Sequence, residues 1–112
     1  MKRRIFAVKV ALISSALIVG SAFGQNKYDT GANDKEIKIG HINPYSGPAS
    51  AYGTIGKSIA AWFEKVNAEG GVNGRKIKFI SLDDGYSPPK TVEQARKLVE
   101  QEEVLVIFNP LS

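Results

Sequence analysis

Apolar and polar residues alternate from Glu36 to Ile42 and stop at Asn43-Pro44. A period of two predicts a strand, ended where proline cannot donate to a ladder. After the turn-rich stretch Tyr45 to Ala51, the residues Ile55, Ile59, Trp62, Phe63 and Val66 recur at helical spacing. They predict a helix with one buried stripe, on which Trp62 and Phe63 are expected to be core. Gly70-Gly71 closes this helix and Asn73-Gly74 makes the next turn. From Arg75 to Leu82 the apolar residues Ile77 and Phe79 share one face, Ile80 and Leu82 the other. A strand apolar on both faces is expected inside a sheet. Ser87-Pro88-Pro89 then offers a capping hydroxyl and two prolines suited to a first helical turn. The helix that follows is expected to turn Val92, Ala95, Leu98 and Val99 inward and to pair Glu93 with Lys97 on its wet side. The unbroken run Val104 to Phe108 predicts a parallel strand covered on both faces.

Strands alternating with helices in this way predict an α/β fold, a three-layer β-α-β-α-β arrangement around a parallel sheet. In such open sheets ligands sit beyond the carboxyl ends of the strands. Here those ends are the loops Asn43 to Tyr52, Asp83 to Ser87 and Asn109 to Ser112, which hold most of the polar residues of interest.

Composition narrows the picture. The chain has 112 residues, enough for one small domain, and no cysteine, which excludes disulfides, thiolate metal sites and a cysteine nucleophile. Its formal charge of +4 resides in Lys2, Arg3, Arg4 and Lys9, ahead of the apolar segment Val10 to Gly20 and the small residues near Gly24. That is the layout of a secretory signal peptide over residues 1–24, with cleavage expected before Gln25. A helix over the apolar segment would be only about 15 Å long, about half a bilayer core, so no stable membrane anchor is expected after cleavage. The remaining chain is neutral and lacks an Arg-rich stripe, which argues against a nucleic-acid partner. Residues 25–35 are polar without hydrophobic period and read as a flexible leader.

Enzymatic chemistry finds little support. Ala51 to Ser58 ends like a phosphate-binding loop, but its first glycine is replaced by Ala51. Ile55 also keeps helical time with Ile59, so the amides near Gly56 are expected inside the helix rather than free for phosphate. His41 stands alone and reads as a hydrogen-bonded structural residue rather than a metal ligand. Asp83 and Asp84 read as acceptors for backbone amides at a loop mouth rather than as a metal site. Tyr45, Tyr52 and Tyr86 stand in loops at the ligand edge, where an aromatic face with a hydroxyl suits binding. No cofactor is implied.

From Glu36 to Ser112 the sequence resembles the N-terminal lobe of the leucine/isoleucine/valine-type periplasmic solute-binding proteins. The resemblance rests on Ser46-Gly47-Pro48 with Tyr52-Gly53, on Asn67 to Gly74, on Asp83-Asp84 with Pro89, and on Ala95 to Leu98. It implies a type I periplasmic binding protein fold, without catalysis, in which two lobes close over an amino acid or related solute outside the inner membrane. The solute then passes to the membrane subunits of an ABC permease. Branched-chain amino acids, other amino acids, short amides and aromatic acids all fit the resemblance; a ligand-sensing periplasmic regulator is the alternative on the same fold. By position, Tyr52 matches an aromatic that packs on ligand and Ser112 a hydroxyl that reaches its carboxylate. Ser46 and Ala51 shape the first loop, and Asp83 and Asp84 organise the second. The disulfide of some members would need cysteines near Tyr86 and Leu111, and neither is present. Residues 36–112 therefore read as a partial lobe, expected to bind solute weakly or not at all without the second one.

Overall fold

The computed structural model describes residues 28–112. The elements run β1 (Glu36–Asn43), a 3-10 turn (Ser50–Tyr52), α1 (Gly53–Ala68), β2 (Lys76–Asp83), α2 (Pro88–Glu100) and β3 (Val106–Ile107). The signal peptide expected over residues 1–24, and Gln25 to Lys27 of the leader, lie outside the described residues.

All three strands are parallel, in the order β2-β1-β3. β1 and β2 pair along their whole length, from Glu36 opposite Lys76 to Asn43 opposite Asp83, so their carboxyl ends finish level. β3 is short, but the amides of Leu105, Phe108 and Leu111 donate to the carbonyls of Lys38, Gly40 and Ile42 at 2.8–2.9 Å. These bonds carry the third segment past the end of β1.

Alternation along β1 divides the interior into two layers. Gly40 and Ile42 face α2, where Leu98, Val104 and Ile42 form the core with Ile80, Leu82, Ala95 and Ile107 packed around them. His41 and Asn43 lie on the α1 side, where Phe63 meets Phe79 edge-on at 5.3 Å and Phe108 at 6.3 Å. Gly40 leaves room for this packing, since a side chain on it would lie 3.2 Å from both methyl groups of Leu98 and from a methyl of Val104.

Several sequence expectations are corrected. β2 is an edge strand and β1 the central one. Both faces of β2 are apolar because a helix covers each face, which says nothing about neighbours within the sheet. Trp62 is 59% exposed, with the Lys65 ammonium 5.4 Å over its ring, because the inward stripe of α1 runs through Ile55, Ile59, Phe63 and Val66, one position round the helix. On α2 the inward positions are Thr91, Gln94, Ala95 and Leu98, while Val92 and Val99 are each 59% exposed. Thr91 and Gln94 turn inward because loop groups of the chain need their hydrogen bonds. Arg96 and Glu100, rather than Glu93 and Lys97, form the ion pair on that helix. The Ser87 hydroxyl makes no cap; its carbonyl instead takes the Thr91 amide at 2.8 Å. The run Val104 to Phe108 is only partly strand and open on one side, since the Val104 amide goes to the Leu98 carbonyl and Leu105, Val106 and Phe108 stay exposed.

From Tyr28 on, the polar leader carries a hydrogen-bonded turn. Asn33 accepts the amides of Lys35 and Glu36, and Ala32 bridges to Ile37. At the amino end of β2, Val72 and Arg75 exchange both backbone bonds around Asn73 (φ 53°) and Gly74 (φ 80°), a two-residue turn of the mirror-image kind.

Candidate functional site

Two of the three loops beyond the carboxyl ends of the strands are joined by one carboxylate. Asp83 ends β2, and its Oδ1 accepts the amides of Tyr45 and Gly85, each at 2.9 Å, and of Ser46 at 3.3 Å. Oδ2 accepts the Ser46 hydroxyl at 2.5 Å. The first loop is thus tied to the second through Ser46, and the backbone carbonyl of Asp83 accepts in turn from the Gln94 side-chain Nε2 at 2.8 Å. These donors, the Ser46 hydroxyl foremost, lower the Asp83 pKa to about 2.

Asp84 is fully buried and works inward, accepting the Tyr86 amide at 3.0 Å and the Thr91 hydroxyl at 2.5 Å. It thereby holds the two left-handed residues Gly85 (φ 56°) and Tyr86 (φ 59°), and the latter presents an exposed ring. Asn43, also fully buried, donates to the Tyr52 carbonyl at 3.1 Å and accepts the Gly56 amide at 2.7 Å. One side chain therefore fixes both the 3-10 turn and the first turn of α1.

Of the site residues expected from sequence, Ser46 and Asp83 are in contact, and Asp84 supports the same loop from beneath. Tyr52 is 57% exposed at the end of the 3-10 turn, with Ala51 exposed beside it. Ser112 is exposed at the end of the third loop, next to Leu111, whose amide reaches the Ile42 carbonyl at 2.9 Å. Asn43, Ser81, Thr91 and Gln94 were not anticipated. Asn43 looked like part of a turn signal before Pro44, and only its position at a strand end facing a helix start hinted at a cap.

A phosphate loop is excluded by this geometry. α1 already begins at Gly53, whose amide goes to Ser50, and the Gly56 amide is occupied by Asn43. Among the described residues no three His, Asp or Glu side chains gather where they could hold a metal ion.

The Asp83 carboxylate has a consequence for stability against acid. Its folded pKa lies below the ordinary 3.8, so in acid the unfolded chain takes up the proton first. The stability it contributes is complete above about pH 4 and is lost as pH falls through about 2. Urea midpoints measured against pH are expected to show the gap between wild type and Asp83→Asn narrowing across that window, and a constant gap would contradict the assignment.

A sheet of order 2-1-3 reverses direction at its first strand, and the crevice beside that strand's carboxyl end is where open α/β sheets take small ligands. With helices on both faces, the fold has the layout of one lobe of an open α/β protein, its loops gathered at the carboxyl ends of the strands. The sequence profile of the periplasmic binding protein family matches residues 36–112. An amino acid binding protein of Pseudomonas aeruginosa is 34% identical over 95 residues, covering 82% of this chain and 24% of the relative. The crystal structure of a possible leucine/isoleucine/valine-binding protein from Rhodopirellula baltica superposes with a TM-score of 0.64 at 28% identity, covering 78% of this chain and 23% of that one. The branched-chain amino acid transporter substrate binding protein LivJ of Streptococcus pneumoniae, solved with isoleucine, gives a TM-score of 0.58 at 32% identity, over 62% of this chain and 20% of that one.

The chain belongs to the periplasmic binding protein family. It spans about a quarter of the length of the curated relatives it matches, and corresponds to part of one lobe of the type I fold.

Proposed function

We propose that this chain contributes one wall of an extracytoplasmic solute-binding protein that captures an amino acid of the branched-chain type and delivers it to an ABC permease, without catalysing a reaction. The single observation that supports this most is the Ser46–Asp83 link between two loops at the carboxyl end of the sheet, the end at which Tyr52 and Ser112 also lie, within a segment matched throughout by the family. Tyr52 offers an exposed ring for the solute's apolar part, and Ser112 a hydroxyl for its carboxylate. Ser46 and Ala51 set the shape of the first loop, and the Asp83 and Asp84 bonds keep both loops preformed so that little ordering is needed on capture. The basic, apolar start of the chain fits export to the periplasm with cleavage near Gly24-Gln25. No helix among the described residues is long and apolar enough to cross a membrane.

The reading is tested by grafting residues 36–112 in place of the matching segment of the isoleucine-binding Streptococcus pneumoniae protein and titrating isoleucine calorimetrically. Micromolar or tighter binding is expected, weakened about tenfold by Tyr52→Ala, the loss of roughly 1.4 kcal/mol of aromatic contact. Unchanged affinity in the Tyr52 variant would remove that residue from the site, and a correctly folded graft that ignores isoleucine and other amino acids would overturn the assigned solute class.

A further inference from the structure

His41 is the single histidine of the chain and is fully buried, on the side of the sheet that faces α1. Its ring lies 5.4 Å from that of Phe79, and its Nδ1 lies 2.8 Å from the Ser81 hydroxyl oxygen. That oxygen is in turn 2.5 Å from the Tyr45 hydroxyl. The Tyr45 ring packs across the first turn of α1, filling the space that side chains on Gly53 and Gly56 would need, while its backbone amide is held by Asp83. A line of polar contacts therefore runs from the middle of β1, through β2, to the first loop. Nothing in the binding arrangement above employs it, and an aliphatic residue beside Phe79 would avoid the desolvation of a buried imidazole.

The heavy-atom distances admit two proton orders along this line, and the surroundings of Nε2 favour one of them. A neutral imidazole carries one donor and one acceptor. Nε2 meets no partner at hydrogen-bonding geometry among the described residues, yet the backbone carbonyl of Asn109 is the polar group that acts on the ring. Ser81 occupies Nδ1, which leaves Nε2 as the nitrogen on which that carbonyl can act; an N–H there is attracted to it and a bare lone pair repelled, which favours hydrogen on Nε2 and acceptance at Nδ1. Ser81 then donates its hydrogen to Nδ1, and Tyr45 donates its own to Ser81.

We propose that His41 is a positioning residue for the ligand rim: as the Nε2–H tautomer it orients the Ser81 hydroxyl and, through it, the Tyr45 hydroxyl, locking the first loop against the start of α1. That the locked rim meets a solute rests on the function proposed above; the lock itself does not. A proton added at Nδ1 would make that nitrogen a donor to Ser81, turn the Ser81 hydrogen toward Tyr45 and release the Tyr45 hydrogen from the line. Around the ring, β2 supplies Phe79 and Ser81, α1 presents Phe63 to Phe79, the first loop supplies Tyr45, and the segment after β3 supplies the Asn109 carbonyl. Burial and that carbonyl are what act on the ring, and no charged side chain among the described residues does.

The test is nitrogen-resolved NMR of the whole chain, where a lone histidine gives unambiguous ring signals. The expected result is one neutral tautomer with hydrogen on Nε2 and a titration midpoint below 6.5, because burial disfavours the charged ring. The amide signals of Tyr45, Ser46 and Gly56 are expected to move with the same midpoint. In Ser81→Ala the imidazole still titrates but those amides no longer follow it. Tyr45→Phe, which keeps the ring over Gly53 and Gly56, should give the same uncoupling if Ser81→Ala folds poorly. His41→Asn, whose side-chain oxygen can accept from Ser81 in place of Nδ1, is expected to keep the wild-type loop shifts at neutral pH, and His41→Leu to lose them. An Nδ1–H tautomer, loop amides indifferent to the titration, or amides that still follow it in both hydroxyl variants would overturn the proposal. No solute is added, so the outcome is independent of whether the rim binds one.

Discussion

Leu98→Ala is expected to lower the stability of the fold by about 2–5 kcal/mol, a large share of the roughly 5–15 kcal/mol of an ordinary domain. Leu98 has no exposed surface and sits where Gly40, Ile42 and Val104 come together. The cost of removing its methyl groups depends on how far the neighbours can collapse into the space. Here they cannot collapse far: Gly40 has no side chain to offer, and the Ile42 and Val104 backbones are fixed by hydrogen bonds to Leu111 and Leu98. Urea denaturation measures the loss. The matching controls are Val92→Ala and Val99→Ala on the exposed side of the same helix, each expected to change stability by no more than about 0.5 kcal/mol. If the three variants behaved alike, the orientation of α2 described here would be wrong.

Gly56→Ala should destabilise by about 2 kcal/mol, although alanine within a helix ordinarily gains close to 1 kcal/mol over glycine. The added methyl would fall on the Tyr45 hydroxyl, and it would lie 2.8 Å from both the Asn43 side-chain oxygen and Tyr45 Cζ. To admit it, Tyr45 must leave Ser81 and Asn43 must loosen its hold on the Gly56 amide, so overpacking and lost hydrogen bonds act together. Combining Gly56→Ala with Tyr45→Phe removes the atom in the way and is expected to restore part of the loss, with a coupling above about 0.5 kcal/mol in a double-mutant cycle. Strict additivity of the two changes would show that the tyrosine is not what excludes the methyl group.

The legible parts of this molecule are those in which local pattern and tertiary role coincide. β1 announces itself by alternation, and α1 by its spacing and its terminal glycines, because each element's own residues determine its face. Sheet order was not legible, since β2 carries apolar side chains on both faces for a reason, cover by two helices, that an edge strand and a central strand share. The expected stripe of α1 holds except at Trp62, whereas the orientation of α2 is off by about one position. Phe63 turns inward as its spacing predicts while Trp62 beside it does not, and on α2 the inward place goes to Thr91 rather than Val92, chosen by the needs of Asp84 rather than by hydrophobicity. At the candidate site, Ser46, Tyr52, Asp83, Asp84 and Ser112 could be found because they lie in loops at strand ends and in the order the family shows. The set behind them, the buried Asn43 and His41 with the half-buried Ser81 and Tyr45, could not be assembled from sequence. Its members are scattered over two strands and a loop, and only the register Asn43 opposite Asp83 and His41 opposite Ser81 brings them together.

The tight turn at Asn73-Gly74 lies at the other end of β2 from Asp83, about 25 Å away for an eight-residue strand. Its backbone bonds close on themselves between Val72 and Arg75, and both of its central residues are exposed. It is therefore a natural attachment point: a fluorophore or affinity handle spliced in there would report on the molecule, or immobilise it, while leaving the opposite rim free to work.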